Sequence, residues 1–73
     1  MTGAQLQAIR KQLCGTDTHS FGRALGLGST QKSIEATMRR LETARKVKRT
    51  YAILAAIYID EPKWLFRAID HQS

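Results

Sequence analysis

Residues 21–27 read Phe-Gly-Arg-Ala-Leu-Gly-Leu, and this segment is the most informative about how the chain folds. Phe21 and Leu25 lie four residues apart, as the buried side of a short helix requires. Gly22 has no side chain, so a neighbouring helix can approach closely at that point. Gly26 is the residue type that most often ends a helix. The segment therefore predicts a short helix followed by a tight turn.

A longer helix is predicted after this turn, from about residue 30 or 33 to residue 43. Its apolar residues Ile34, Met38 and Leu41 recur at helical spacing and predict one buried stripe. Successive helical residues are rotated by about 100°, which defines the side opposite this stripe. That opposite side carries five residues: Lys32, Ala36, Arg39, Arg40 and Thr43.

The N-terminal third of the chain carries helix-capping signals. Thr2 followed by Gln5 is typical of a capping box at the start of a first helix. Asp17 is expected to cap the short second helix in a similar way. Arg10 and Lys11 are predicted to lie outside the apolar stripe of the first helix, which consists of Leu6, Ile9 and Leu13.

The C-terminal part is predicted to form two further helices. The fourth begins near Lys48, and Asp60 is expected to cap the fifth, with Pro62 in its first turn. Their apolar residues exceed what so small a core can bury, which predicts a homodimer interface of Ile53, Ile57, Trp64, Leu65, Phe66 and Ile69. No segment has the alternating pattern of a strand. The fold class is therefore all-α, with five helices in one domain spanning residues 1–73.

The charge of this 73-residue chain is positive and unevenly distributed. The net charge is +6, and seven cations lie between Lys32 and Arg49 against only Glu35 and Glu42. A concentrated basic patch attracts a polyanion. Solvated helix faces also collect Lys and Arg, so charge alone leaves both interpretations open.

Several classes of protein are disfavoured by the sequence. The single Cys14 cannot form an internal disulfide and fits a reducing, cytoplasmic setting. No signal-peptide pattern is present, and the apolar run 51–59 is too short to span a bilayer. His19 and His71 are isolated and form no metal-ligand pattern. Without a nucleophile beside a base or a glycine-rich phosphate loop, we expect no enzyme, no cofactor, no metal and no small-molecule ligand.

Three segments in order resemble one known family. They are Leu-Gln-Ala-Ile-Arg-Lys-Gln-Leu (6–13), Phe-Gly-Arg-Ala-Leu-Gly-Leu (21–27) and Thr-Met-Arg-Arg-Leu-Glu-Thr-Ala-Arg-Lys (37–46). Together they resemble the phage-repressor-like (Cro and lambda-repressor) helix-turn-helix family. The opening residues 1–11 are also similar to those of some anti-CRISPR-associated repressors. The resemblance implies a five-helix lambda-repressor-like helix-turn-helix domain whose third helix enters the major groove of DNA.

On this interpretation the predicted DNA contacts fall into two groups. The expected base contacts are Gln31, Lys32, Ser33, Ala36, Arg39 and Arg40. The expected phosphate contacts are Thr18 with the amide end of the second helix, and Thr43, Arg45, Lys46, Lys48, Arg49 and Thr50. Thr30, Gln31 and Ser33 are equally well explained as helix-capping residues.

These observations predict a double-stranded DNA-binding transcriptional regulator that acts in the cytoplasm. We expect a small homodimeric repressor of phage or mobile-element origin, which binds a palindromic operator. The operators it binds are expected to include one in the promoter of its own gene. The alternative is a protein-interaction module, such as an antitoxin or inhibitor, which binds a protein partner through the apolar C-terminal helix. RNA binding is disfavoured because the basic segment contains no aromatic residue.

Overall fold

A computed structural model describes residues 1–28 and 30–72, with side chains up to residue 70. The described residues form five α-helices and no strand, as the sequence predicts. The helices are α1 (Gly3–Cys14), α2 (Thr18–Ala24), α3 (Gln31–Thr43), α4 (Arg49–Asp60) and α5 (Pro62–Gln72). Ser29 in the predicted turn, Ser73 and the His71 side chain lie outside the described residues.

Side-chain caps begin the first three helices. At α1 the capping box is complete, because Thr2 Oγ1 accepts from the Gln5 N–H and the Gln5 side chain accepts from the Thr2 N–H. Asp17 caps α2 as predicted. Thr30 caps α3, its Oγ1 accepting from the Ser33 N–H at 3.2 Å. Each cap satisfies an amide that the helix itself leaves unpaired.

The core lies where all five helices meet. Gly22 is buried between α2 and α3, as the sequence predicts. A Cβ atom at this position would collide with Cγ2 of Ile34 and lie 3.1 Å from Cγ of Met38. The absence of a side chain therefore lets α3 pack directly on α2. The buried apolar side chains are Leu6, Phe21, Ala24, Leu25, Ile34, Met38, Val47, Ala55, Tyr58 and Leu65.

The N-terminus is tied to the segment that joins α3 and α4. The Gly3 N–H donates to the Ala44 carbonyl at 2.9 Å, and the Val47 N–H donates to the Met1 carbonyl at 2.8 Å. A Cβ at Gly3 would lie 2.6 Å from the Ala44 oxygen. Glycine is therefore needed for this close approach, which holds the start of α1 against the end of α3.

The C-terminal helices close the core from the other side. Leu65 of α5 is fully buried, and the hydroxyl of Tyr58 in α4 donates to the Ala24 carbonyl at 2.6 Å. That carbonyl lies in the last turn of α2, where helix carbonyls lack an internal partner. Burial raises the pKa of Tyr58, which keeps its hydroxyl protonated as the donor.

Three expectations from the sequence are wrong. Arg10 is buried and not outside the apolar stripe, because it pairs with a carboxylate on α3. Asp60 is the last residue of α4 and does not cap α5, which begins at Pro62. Leu65 belongs to the core of the monomer and is inaccessible to a dimer partner.

Candidate nucleic-acid interface

One side of α3 is packed and the other is exposed, as the periodicity predicts. Ile34 and Met38 are buried at 2% and 0% exposure. The residues on the opposite side are all exposed: Lys32, Ala36, Arg39, Arg40 and Thr43. Because α1 and α2 both pack against its inner side, α3 presents a cationic outer side on a fixed support.

The cationic surface continues past the end of α3. The predicted phosphate contacts Arg45, Lys46, Lys48, Arg49 and Thr50 are all exposed. Val47 in their midst is 3% exposed and anchors the segment to the core. Among the described residues, none of the cations from Lys32 to Arg49 forms an ion pair with a carboxylate. No carboxylate in the described part of the chain therefore neutralises these cations by direct pairing.

An ion pair beneath this surface fixes the end of α3. The Arg10 guanidinium donates from Nε and Nη2 to the two Glu42 oxygens, at 3.0 and 2.9 Å. Its Nη1 donates to the Gly15 carbonyl at 2.6 Å. The hydrogen bond to Glu42 raises the pKa of Arg10, so the guanidinium stays charged. Glu42 is thereby paired with Arg10 and not with a cation on the outer side of α3.

A polar cleft of about 380 Å³ lies beside the cationic side of α3. It is lined by Gln7, Arg10, Thr18, Glu35, Arg39 and Glu42, from α1, α2 and α3. Arg39 and Thr18, predicted to contact base and phosphate respectively, are therefore brought to one place. Gln7 and Glu35 were not predicted as site residues. Glu35 could have been predicted, because it lies four residues before Arg39 and so on a neighbouring part of the same helix surface. No sequence feature near Gln7 indicated that it would line the cleft.

Two of the predicted phosphate contacts lie beside groups of the chain itself that compete with a phosphate or use the donor. The amide end of α2 is occupied by Asp17, whose carboxylate accepts from the Ser20 N–H and hydroxyl at 3.1 and 2.7 Å. These hydrogen bonds lower the pKa of Asp17 and keep it negative, which opposes a phosphate there. Thr18 lies at that end and lines the polar cleft. The Thr43 hydroxyl donates back to carbonyls of α3, including that of Arg39 at 3.0 Å, so its proton is engaged within the helix.

The first turn of α3 is capped by a side chain and also exposes side chains to solvent. Thr30 is the cap, whereas Gln31, Lys32 and Ser33 have exposed side chains in the first turn. The Gln31 Nε2 donates to Glu35 Oε1 at a long 3.4 Å. The side chains of the first turn thus remain accessible for contact with a ligand.

A separate apolar surface lies on α4 and α5. Four large side chains are exposed there: Ile53 (49%), Ile57 (44%), Trp64 (45%) and Phe66 (55%). A groove of about 430 Å³ runs between Ile57 and Trp64. The Arg67 guanidinium stacks on the Trp64 ring, with Cζ 5.0 Å from its centroid. We call Ile57 and Trp64, which line this groove together, the apolar patch; Ile69, also predicted here, is partly buried against the core.

Other reactive groups are not gathered into a site. Cys14 is half-buried, and burial, together with the nearby charge of Asp17, raises the pKa of its thiol. In the described part of the chain, no three His, Cys, Asp or Glu side chains are grouped as metal ligands would be. Nor is any helix there long and apolar enough to cross a bilayer.

Comparison with known proteins gives no relative from which a role can be transferred. No protein-family model, curated protein or solved structure matches the chain. The charge, exposure and packing of the chain itself are therefore the features from which its function is inferred.

Proposed function

We propose that this protein is a sequence-specific double-stranded DNA-binding regulator. The observation that carries the proposal is the exposed, unpaired cationic side of α3, which continues into Arg45–Arg49 on a well-packed support. An α-helix fits the major groove, and Arg39 and Arg40 match the commonest side-chain contact with guanine. Cations beyond the helix end are suited to the phosphate backbone, which positions the protein without reading sequence.

The resemblance to phage repressors extends this proposal. We infer a small cytoplasmic repressor of phage or mobile-element origin, which represses by occupying a promoter, including its own. The packing of α2 on α3 through Gly22 supports a helix-turn-helix arrangement, because that motif needs two helices in close contact. The exposed face of α3 supports its role as the recognition helix.

A homodimer is the assembly we propose. Ile57 and Trp64 are exposed and line one groove, and the Arg67 guanidinium stacks on the Trp64 ring beside it. In a two-fold arrangement the same surface meets itself, so these apolar side chains of both copies would be buried against each other. Two copies would then present their recognition helices to adjacent major grooves of a palindromic operator.

The DNA proposal is tested by selecting duplexes from a random library and measuring fluorescence anisotropy. The selected duplex should bind better than a scrambled one, with affinity falling steeply between about 50 and 200 mM salt. We expect Arg39→Ala and Arg40→Ala each to lose about 1–3 kcal/mol on the selected duplex and little on the scrambled one. Lys11→Ala, which removes an exposed cation on α1, is the matched control. Failure to enrich any sequence would contradict the proposal.

The apolar patch supports one alternative, a protein-interaction module such as an antitoxin or inhibitor. The two functions differ in what Trp64→Ala changes. In a DNA-binding dimer this variant should become monomeric in analytical ultracentrifugation and bind the full palindromic operator less tightly, whereas its affinity for a single half-site should change little. In an interaction module the wild-type protein is already monomeric, and the substitution abolishes salt-tolerant binding to another protein.

A further inference from the structure

The two carboxylates on α3 have different environments. Both oxygens of Glu42 are engaged by Arg10, at 3.0 and 2.9 Å. Glu35 accepts only one long hydrogen bond, from Gln31 at 3.4 Å. Among the described residues it forms no ion pair, although Arg39 is four residues further along the same helix. The Glu35 carboxylate can therefore accept further hydrogen bonds from a ligand.

Glu35 lies at the edge of the cationic side of α3. It is half-buried and lines the polar cleft with Thr18 and Arg39. Lys32, three residues earlier, is exposed on the same side of the helix. A helix placed in the major groove brings both its outer side and its flank to the base edges, so Glu35 would enter the groove with these two cations.

A carboxylate at this position cannot bind the phosphates of the DNA backbone. It only accepts hydrogen bonds, and it repels phosphate, so its presence opposes non-specific binding. Major-groove base edges do offer donors, and Glu pairs characteristically with the N4 amino group of cytosine. We propose that Glu35 is a specificity-determining residue that accepts a hydrogen bond from a cytosine amino group in the operator.

This inference rests on the proposed DNA-binding function, and its test separates the two. Wild-type protein, Glu35→Ala and Glu35→Gln are each used to select duplexes from the same random library. The matched control is Glu61→Gln, which also removes one negative charge. Glu61 pairs with Lys63, but both side chains of this pair are at least half exposed. The loss of such a surface ion pair therefore has little effect on stability.

The wild-type motif should contain a cytosine that Glu35→Ala no longer selects, while the remaining positions persist. Glu35→Gln should shift that position towards adenine, whose N6 and N7 match an amide. We expect discrimination at this position to fall by roughly 5- to 150-fold. Binding of random duplexes should rise for both Glu35 variants and change less for Glu61→Gln.

Three results would overturn the inference in different ways. If the wild-type protein enriches no motif, the proposed function fails and the inference fails with it. If a motif appears but is the same in Glu35→Ala, DNA binding stands and base reading by Glu35 is wrong. If Glu35→Ala relaxes only the base pair that Arg39→Ala relaxes, Glu35 orients Arg39 and does not read a base itself.

Discussion

Replacing Arg10 by Met tests whether the pair with Glu42 holds α3 in place. Arg10 makes three hydrogen bonds, two to Glu42 and one to the Gly15 carbonyl. The side chains of the pair are only 9% and 7% exposed. Methionine retains much of the apolar stem of Arg10 but offers no donor. The Glu42 carboxylate would then be buried with a negative charge and without its partner.

The magnitude follows from that unpaired charge. Breaking a buried ion pair by removing one partner costs about 3–5 kcal/mol. The total stability expected for 73 residues is about 4–11 kcal/mol, from 0.05–0.15 kcal/mol per residue. Arg10→Met should therefore remove a large share of the free energy of unfolding. The double variant Arg10→Met/Glu42→Leu removes both charges and should recover most of the loss, because well-packed apolar replacements of buried pairs are often neutral.

Urea unfolding followed by far-UV circular dichroism measures these free energies for both single variants and the double variant. Lys11→Met, on the exposed side of the same helix, is the control and should stay within about 0.5 kcal/mol of the wild-type protein. A loss below about 1 kcal/mol for Arg10→Met would refute the reasoning, since it would mean that water reaches Glu42. A double variant no more stable than Arg10→Met would also refute it.

Two further changes test the packing and capping of α2. Gly22→Ala should cost about 1–3 kcal/mol in urea unfolding, because the new methyl group collides with Ile34. Gly28→Ala, where an added Cβ meets nothing within 4 Å, should change the free energy of unfolding little, and equal costs for the two would contradict the packing argument. Asp17→Ala should cost about 0.5–2 kcal/mol at neutral pH through loss of the cap. Hydrogen bonds from Ser20 depress the pKa of Asp17 in the folded state, so this contribution is present above the unfolded pKa of about 3.9 and is lost as pH falls through the folded pKa. Unfolding of both proteins across acidic pH should therefore show their difference shrinking, and a constant difference would exclude a role for the charge.

Features set by neighbouring residues were predictable from the sequence alone. Thr2 with Gln5 forms a capping box, and Asp17 caps α2, because these interactions span only three residues. The spacing of Ile34 and Met38 likewise placed one side of α3 in the core and exposed the cationic side. A helix imposes its period on the chain, so local order determines which side chains share a face.

Features that depend on distant residues were decided only by the tertiary structure. Arg10 looked like a solvated cation, yet it is buried because Glu42, 32 residues away, is brought beside it. On α5, Leu65 and Trp64 are both large and apolar, but only the packing of α5 against the core buries the first and leaves the second exposed. Periodicity identifies which residues lie on one side of a helix, but not what that side will meet. Contacts across the chain supply that information, and here they determine which charges on α3 remain available to a ligand.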